Sequence, residues 1–413
     1  MLNLSPIDLE SPAGRELLNN LADIASPELV AIAKRVTRIF RIPSPFAPGF
    51  CCIGGEIALE SDAASAYGMP RLSVTGNGET LQGALASCLG EAADFLSQIE
   101  RKGDVEDIAI EPGSLNFITD GWIAAAIAGA GKAIEWIGAF DAATTQTALV
   151  PADICLRRPP GRRAIEPVGA LSSGAAAGRD FESAALRAVL ELCERDAAAL
   201  WWLGGRRPKS FALEHPAAAA VAALIGRLRQ GTISRRTSLL DITTDTGVPV
   251  VAAVSVDQDG RGLACGLSSR LSATEAAKAA ILEMCQMEMA APVADAKRAE
   301  RGEAALNEAD RRHLRRAAFA ATDCELLHPF GVAAGAPSEA ADTALEGLIG
   351  RLSRRGIRFF LVDHTRKDIG VSVARAVSPD LQPFAATPST SRLARARSEN
   401  GRQETTEMPT PLF

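Results

Sequence analysis

Three helical segments carry polar residues at spacings that could do chemistry. In "LELCERDAAALWW", residues 190–202, Glu191, Glu194 and Arg195 stand at i, i+3 and i+4, and an apolar run ending in Trp201 and Trp202 follows. On a helix those three side chains share one face. Glu91 with Asp94 and Glu283 with Gln286 repeat the i, i+3 spacing in "ALASCLGEAADFL" and "ILEMCQMEM". An isolated acidic pair of this kind is ordinarily a solvated face. Three such pairs, each after a strand and a Gly-rich turn, point to a shared cavity. Converging, they would gather carboxylates, an arginine and an amide around one space.

Like charges that close repel by several kcal/mol at intermediate dielectric, about 4 kcal/mol at 4 Å. A cation between them relieves the repulsion. Hard oxygen donors without histidine or thiolate suit Mg2+, which commonly arrives with nucleotide phosphates. Arg195 can then meet a phosphate oxygen with its planar fork. The chain has no GxxxxGK[ST] loop, and "GNGETLQG" is not a kinase Gly-rich loop, so a nucleotide site here is an unusual one.

The elements that must position these residues alternate along the chain. "RLSVTGNGETLQGALASCLGEAADFLSQIE", "VGALSSGAAAGRDFESAALRAVLELCERDAAALWW" and "GLACGLSSRLSATEAAKAAILEMCQMEMA" each read as strand, Gly turn and helix. Further strands are expected at "SLLDITTD", "VPVVAAVSVD", "IRFFLVD" and "VSVARAVS", and helices near 215–229, 296–320 and 338–355. Residues 15–39 have helical periodicity with a restart at Ser26-Pro27, and "FRIPSPFAPGF" reads as a linker. The expected division is a helical extension and linker over 1–60, a domain of alternating strands and helices holding the cavity over 61–385 and a flexible tail over 386–413 ending in "PTPLF". The fold class is mixed α/β, with mixed sheets flanked by helices and the cavity between helices.

Composition narrows the function classes. With 413 residues, 47% of them hydrophobic, and net charge -6, the chain has a large core and no general affinity for nucleic acid or anionic membranes. "GWIAAAIAGAGKAIEWIGAF" is interrupted by Lys132 and Glu135 and is a poor membrane span; its second half reads as a strand. The N-terminus shows neither the basic nor the apolar region of a secretory signal. Eight cysteines without a CxxC pair and four scattered histidines fit a reducing cytoplasm and argue against a zinc cage. Trp201 and Trp202 are read as burying the end of their helix, Cys88 and Cys193 as core, and His364 as structural.

The same segments resemble the YcaO family of ATP-dependent peptide-modifying enzymes. "ALASCLGEAADFL" is similar to its SxxxExxER helix, "SSGAAAGRDFESAALRAVLELCERDA" to its Gly-rich segment and ExxER helix, and "LSATEAAKAAILEMCQMEM" to its ExxQ helix. "VDHTRKDIGVSVARAVSPDLQPF" resembles its closing strands, and the resemblance spans about residues 65–385. It implies ATP and Mg2+ as cofactors and phosphorylation of a peptide amide oxygen. Attack by Cys, Ser or Thr then gives a thiazoline or oxazoline, and attack by delivered sulfide gives a thioamide. A non-catalytic scaffold or peptide-binding subunit is the third reading. By resemblance Glu91, Asp94, Glu191 and Glu194 are metal and phosphate ligands, Arg195 the phosphate contact, and Ser87, Glu283 and Gln286 nucleotide-pocket residues.

Three positions depart from the family's pattern. Phe95 replaces the arginine of the first ExxER, Arg179 replaces an asparagine, and Ser183 stands where a glutamate is common, beside Glu182. Arg179, Glu182 and Ser183 are carried as cofactor-binding candidates. The terminal Phe413 is carried as a catalytic candidate, because azoline-forming members often end in a Pro-rich segment reaching the active site. The implied partners are a precursor peptide and a separate leader-binding, E1-like protein or a sulfur-delivery protein. A homodimer is allowed.

Overall fold

A computed structural model describes residues 5–59, 71–105, 116–165, 173–211, 216–331, 344–383, 389–402 and 412. β-Branched runs and glycine-broken turns set out its strands in three sheets. β1 (Ser5–Pro6), β2 (Val36–Arg41), β3 (Cys51–Ala58) and β4 (Arg71–Gly78) form an antiparallel sheet in that order. β5 (Asn116–Phe117), β6 (Trp136–Asp141), β7 (Thr147–Pro151) and β8 (Ala175–Gly178) follow. β9 (Lys209–Ser210), β10 (Arg235–Asp241), β11 (Val250–Asp257) and β12 (Ala264–Ser269) make a second sheet in the order β12-β11-β10-β9. β13 (Phe360–Asp363) and β14 (Ser372–Val377) complete a six-stranded sheet ordered β5-β7-β6-β13-β14-β8, in which β5 and β7 are parallel.

Each sheet ends in an edge strand that leads into a long helix. The helices Leu81–Gln98, Phe181–Trp202 and Ala273–Glu288 follow β4, β8 and β12 and pack back on them. Capping starts two of them. Thr80 Oγ1 accepts from the Gly83 N–H, and Asp180 with Ser183 forms a reciprocal capping box. Close approach of strand to helix needs glycine. A Cβ on Gly76 would lie 2.2 Å from the Ala84 oxygen and the Cys88 nitrogen, and one on Gly266 would lie 2.2 Å from the Ala280 oxygen and the Met284 nitrogen.

The three units then close on one another. Leu81–Gln98 also packs against β8, Phe181–Trp202 against β12, and Ala273–Glu288 against β4. Small residues on the central helix, among them the buried Ala184, Ala185 and Ala188, let it lie near its strands. Trp201 and Trp202 anchor its end. Both are buried, their rings meet edge-on at 5.6 Å, and Trp201 Nε1 donates to the Leu326 carbonyl at 2.8 Å.

The ends of the chain differ from the sequence reading. Helices Pro12–Ala22 and Pro27–Ile32 are present, each with a Ser-Pro start, but Val36–Arg41 is a strand. β2 and β3, within the stretch read as extension and linker, pair into one sheet with β4, so cross-strand pairing overrides the helical periodicity there. Within the expected flexible tail, Ser391–Glu399 is a helix with Leu393 buried. Arg392 fastens it by ion pairs to Asp196 and Asp245, partners that lie far off in sequence. The backbone carbonyl of buried Leu412 accepts from Arg316 Nη1 at 2.7 Å. Among the described residues no helix is long and apolar enough to cross a membrane.

Candidate functional site

A cleft of about 860 Å³ opens between the first two site helices. Ser87, Glu91 and Asp94 from one helix and Glu191 from the next line it, together with β8 and Arg179. The turn Asp23–Ser26 adds a further wall. Arg157 and Arg187 also face it. Carboxylates and guanidinium groups therefore share one open space, the polarity that a cation carrying a polyphosphate requires.

Each glutamate is aimed by a backbone N–H of the preceding strand segment. Glu91 accepts from the Thr75 N–H at 2.8 Å, Glu191 from Gly174 at 3.0 Å and Glu283 from Leu267 at 3.1 Å. Glu194 accepts from the Ser269 N–H at 3.0 Å and so ties the second helix to the third unit. Gln286 bonds Asn77 and Thr75 Oγ1, tying the third helix to the first unit. Arg195 is held between Glu191 and Glu194 at 3.4 Å from each. Those contacts are long for charge-assisted bonds, which run to about 2.7–2.9 Å. Arg195, Glu194, Glu283 and Gln286 form a tier behind the cleft, joined to it through Glu191.

Burial, joined at Glu91, Glu191 and Glu283 by neighbouring carboxylates, raises the proton affinity of these acids. Burial, with help from Glu194 and Asp94, pushes Glu191 up to about 7 against the pull of Arg195. Burial raises Asp94 to about 6. Glu283 is raised as well, by burial and then by Glu194. Glu91 is raised by burial, although its side chain is open to solvent from the cleft. Such a row is electrostatically costly with no cation present.

The residues fit Mg2+ with a nucleotide. The cleft donors are hard oxygens, and Asp94 Oδ1 is buried without a hydrogen-bond partner. Among the described residues no three carboxylate, histidine or cysteine side chains stand close enough to cage an ion by themselves. Mg2+ uses one or two carboxylates, water and substrate phosphates, so an open set suits it. Glu91, Asp94 and Glu191 line the cleft as such an open set.

Other sequence candidates fall elsewhere. Ser183 is spent on the capping box, its Oγ accepting from the Asp180 N–H and donating to the Asp180 carbonyl. Glu182 is exposed in the first helical turn and does not line the cleft. Arg179 lines it with a largely exposed side chain, beside Asp180 at 3.4 Å. Phe413 lies outside the described residues. His364 is buried in a neutral form, its affinity for a proton lowered to about 3 by burial and by Arg375 and Arg366. Cys88 and Cys193 are buried, and burial pushes both thiols up.

The sequence reading missed Arg157, Arg187 and Arg375. Arg375, buried on β14, acts electrostatically on both Glu191 and Asp94. Arg187 was legible, since it stands four residues before Glu191 on the same face. Arg157 follows Ala152–Cys155, in another unit altogether, and gave no local signal.

Residues 75–382 match the family described as YcaO cyclodehydratase, ATP- and Mg2+-binding. No curated protein matches the chain. Among solved structures it is similar to a heterocyclase in complex with substrate and cofactor, at 21% identity and TM-score 0.69. That alignment covers 95% of this chain but only 56% of the heterocyclase. YcaO from Methanopyrus kandleri, bound with AMPPCP and Mg2+, aligns at 17% identity and TM-score 0.65 over 91% of this chain and 93% of that one. The E. coli microcin synthetase McbBCD complex with pro-MccB17 bound gives 14% identity and TM-score 0.59, covering 83% of this chain and 88% of its own. With three-quarters of its length matched and its fold shared, the chain belongs to the YcaO family, whose cofactors are ATP and Mg2+.

Proposed function

We propose that this chain activates backbone amides of a ribosomally made peptide with ATP and closes Cys, Ser or Thr side chains onto them as thiazolines or oxazolines. The observation that carries the reading is the cleft in which Glu91, Asp94 and Glu191 face Arg157, Arg179 and Arg187. An amide oxygen leaves poorly until it carries a phosphoryl group. Bound Mg2+ would offset charge on the phosphoryl in transfer. The γ-phosphoryl passes to the amide oxygen, the side-chain sulfur or oxygen adds to the carbon, and phosphate departs with the former amide oxygen. The ring nitrogen and side-chain heteroatom each give up a proton, so the peptide loses one water per ring.

On this reading residues 61–385 are the catalytic domain, Arg195 contacts phosphate during transfer, and Ser87, Glu283 and Gln286 complete the nucleotide pocket. Arg195 would exchange its long contacts with Glu191 and Glu194 for the phosphate. A precursor peptide is the substrate and a separate leader-binding protein presents it, as the bound pro-MccB17 of the multi-subunit microcin synthetase suggests. A cytoplasmic location accords with eight free cysteines. The departures at Phe95, Arg179 and Ser183 favour one rival, a binding subunit without ATP turnover. The test is to supply ATP, Mg2+, a Cys- and Ser-containing precursor peptide and its leader-binding protein, in parallel reactions with and without added sulfide. ATP turnover with loss of water from the peptide is expected. An oxygen-to-sulfur mass change would assign thioamide chemistry, and absence of turnover would assign the scaffold role.

A further inference from the structure

We infer that Arg157, braced on the ring of Phe95, is a polyphosphate-binding residue of this cleft. The inference rests on the nucleotide reading above and deepens it. The guanidinium carbon of Arg157 lies 4.1 Å from the centroid of Phe95, and both side chains line the cleft beside Asp94. A stacked guanidinium keeps its edge available for in-plane hydrogen bonds while its face is covered.

The backbone of Arg157 is pinned to the end of the first site helix. The Arg157 N–H donates to the Gln98 carbonyl at 2.8 Å, and the Glu100 N–H donates to the Arg157 carbonyl at 3.0 Å. A parallel bridge joins Ile99 to Arg157. The end of the first site helix is thus stitched to the residue that carries the cation. Arg157 lines the same cleft as Glu91, Asp94 and Glu191, the groups that would hold the cation.

Phe95 follows Asp94 directly and occupies the place of an arginine in the helix motif. The positive charge absent from position 95 is supplied by a different element, across the ring that replaced it.

The experiment is calorimetric titration of Mg·ATP into the full chain, with melting curves for each variant. Arg157→Ala should weaken ATP binding about 10- to 100-fold, the loss of a charge-assisted phosphate contact. Phe95→Leu should weaken it less, since the charge remains and only its platform goes. The double variant Phe95→Arg with Arg157→Phe should recover most of the affinity, because it returns the cation to the helix. An Arg157→Ala variant that keeps the parental melting temperature while ATP binding falls excludes a merely structural role. Folded Arg157→Ala that binds ATP as tightly as the parent overturns the inference alone. A folded double variant binding no better than Arg157→Ala does the same, and it decides the matter if Arg157→Ala fails to fold. A parent that binds no Mg·ATP overturns the inference together with the nucleotide reading.

Discussion

Glu191 shows what the site costs at the scale of one side chain. Its carboxyl is held at about 7 by burial and by neighbouring acids, so the folded chain keeps a proton that the unfolded chain releases near 4.5. Between those values stability falls as pH rises, because the folded state binds more protons. Glu191→Gln should therefore stabilise the nucleotide-free protein at pH 8, by an amount on the order of 1–3 kcal/mol, while abolishing its response to Mg·ATP. Thermal melts with and without Mg·ATP check this, and a lower melting temperature in the free variant contradicts it. His364 acts with the opposite sign. Buried and held at about 3, it takes up a proton on unfolding, so its contribution is lost as pH falls from about 6.5 towards 3. His364→Gln should flatten the acid limb of stability against pH, and an unchanged acid limb in denaturant titrations contradicts that. The carboxylates were legible because helical spacing put them on one face. Arg157 and Arg375 were not, because tertiary folding alone brings them to Asp94.

At the scale of elements, the strand–turn–helix plan was legible three times over, since the period changes from strand to helix across each Gly-rich turn. The hydrogen bonds that lock it were not. They join a glutamate to a backbone N–H 16 or 17 residues earlier, in Thr75, Gly174 and Leu267. β2 was hidden by a helical apolar pattern that pairing with β3 overrode, and the Ser391–Glu399 helix by polar residues whose partners lie far away in sequence. Gly76 and Gly266 set the strand-to-helix distance in two units. Gly76→Ala and Gly266→Ala should each destabilise the fold by about 1–3 kcal/mol through overpacking. A Cβ added to Gly226, in the Pro216–Arg229 helix, would meet nothing within 4 Å, so Gly226→Ala should stabilise by about 0.5–1 kcal/mol. Denaturant midpoints measure all three, and equal effects at the three sites contradict the close-approach argument.

Across the whole molecule, composition and alternation indicated the mixed α/β class, whereas the ring of three units rests on contacts between elements distant in sequence. The end of the chain belongs to this scale. Leu412 is buried in the cluster that holds Trp201 and Trp202, and Arg316, itself buried, donates to its carbonyl and acts electrostatically on Glu283. Deleting residues 409–413 removes a buried leucine, a loss of about 2–5 kcal/mol, and takes an acceptor from Arg316. Heterocycle formation should stop while ATP binding persists. Peptide modification at the parental rate would deny the tail any part in catalysis. The central claim is that carboxylates from separate helices make one Mg·ATP site, and calorimetry of Mg·ATP binding to the parent and to Glu191→Ala with Glu194→Ala tests it most directly. The account predicts magnesium-dependent binding to the parent and none to the folded double variant; equal binding by both, or none by the parent with its partner protein present, would contradict it.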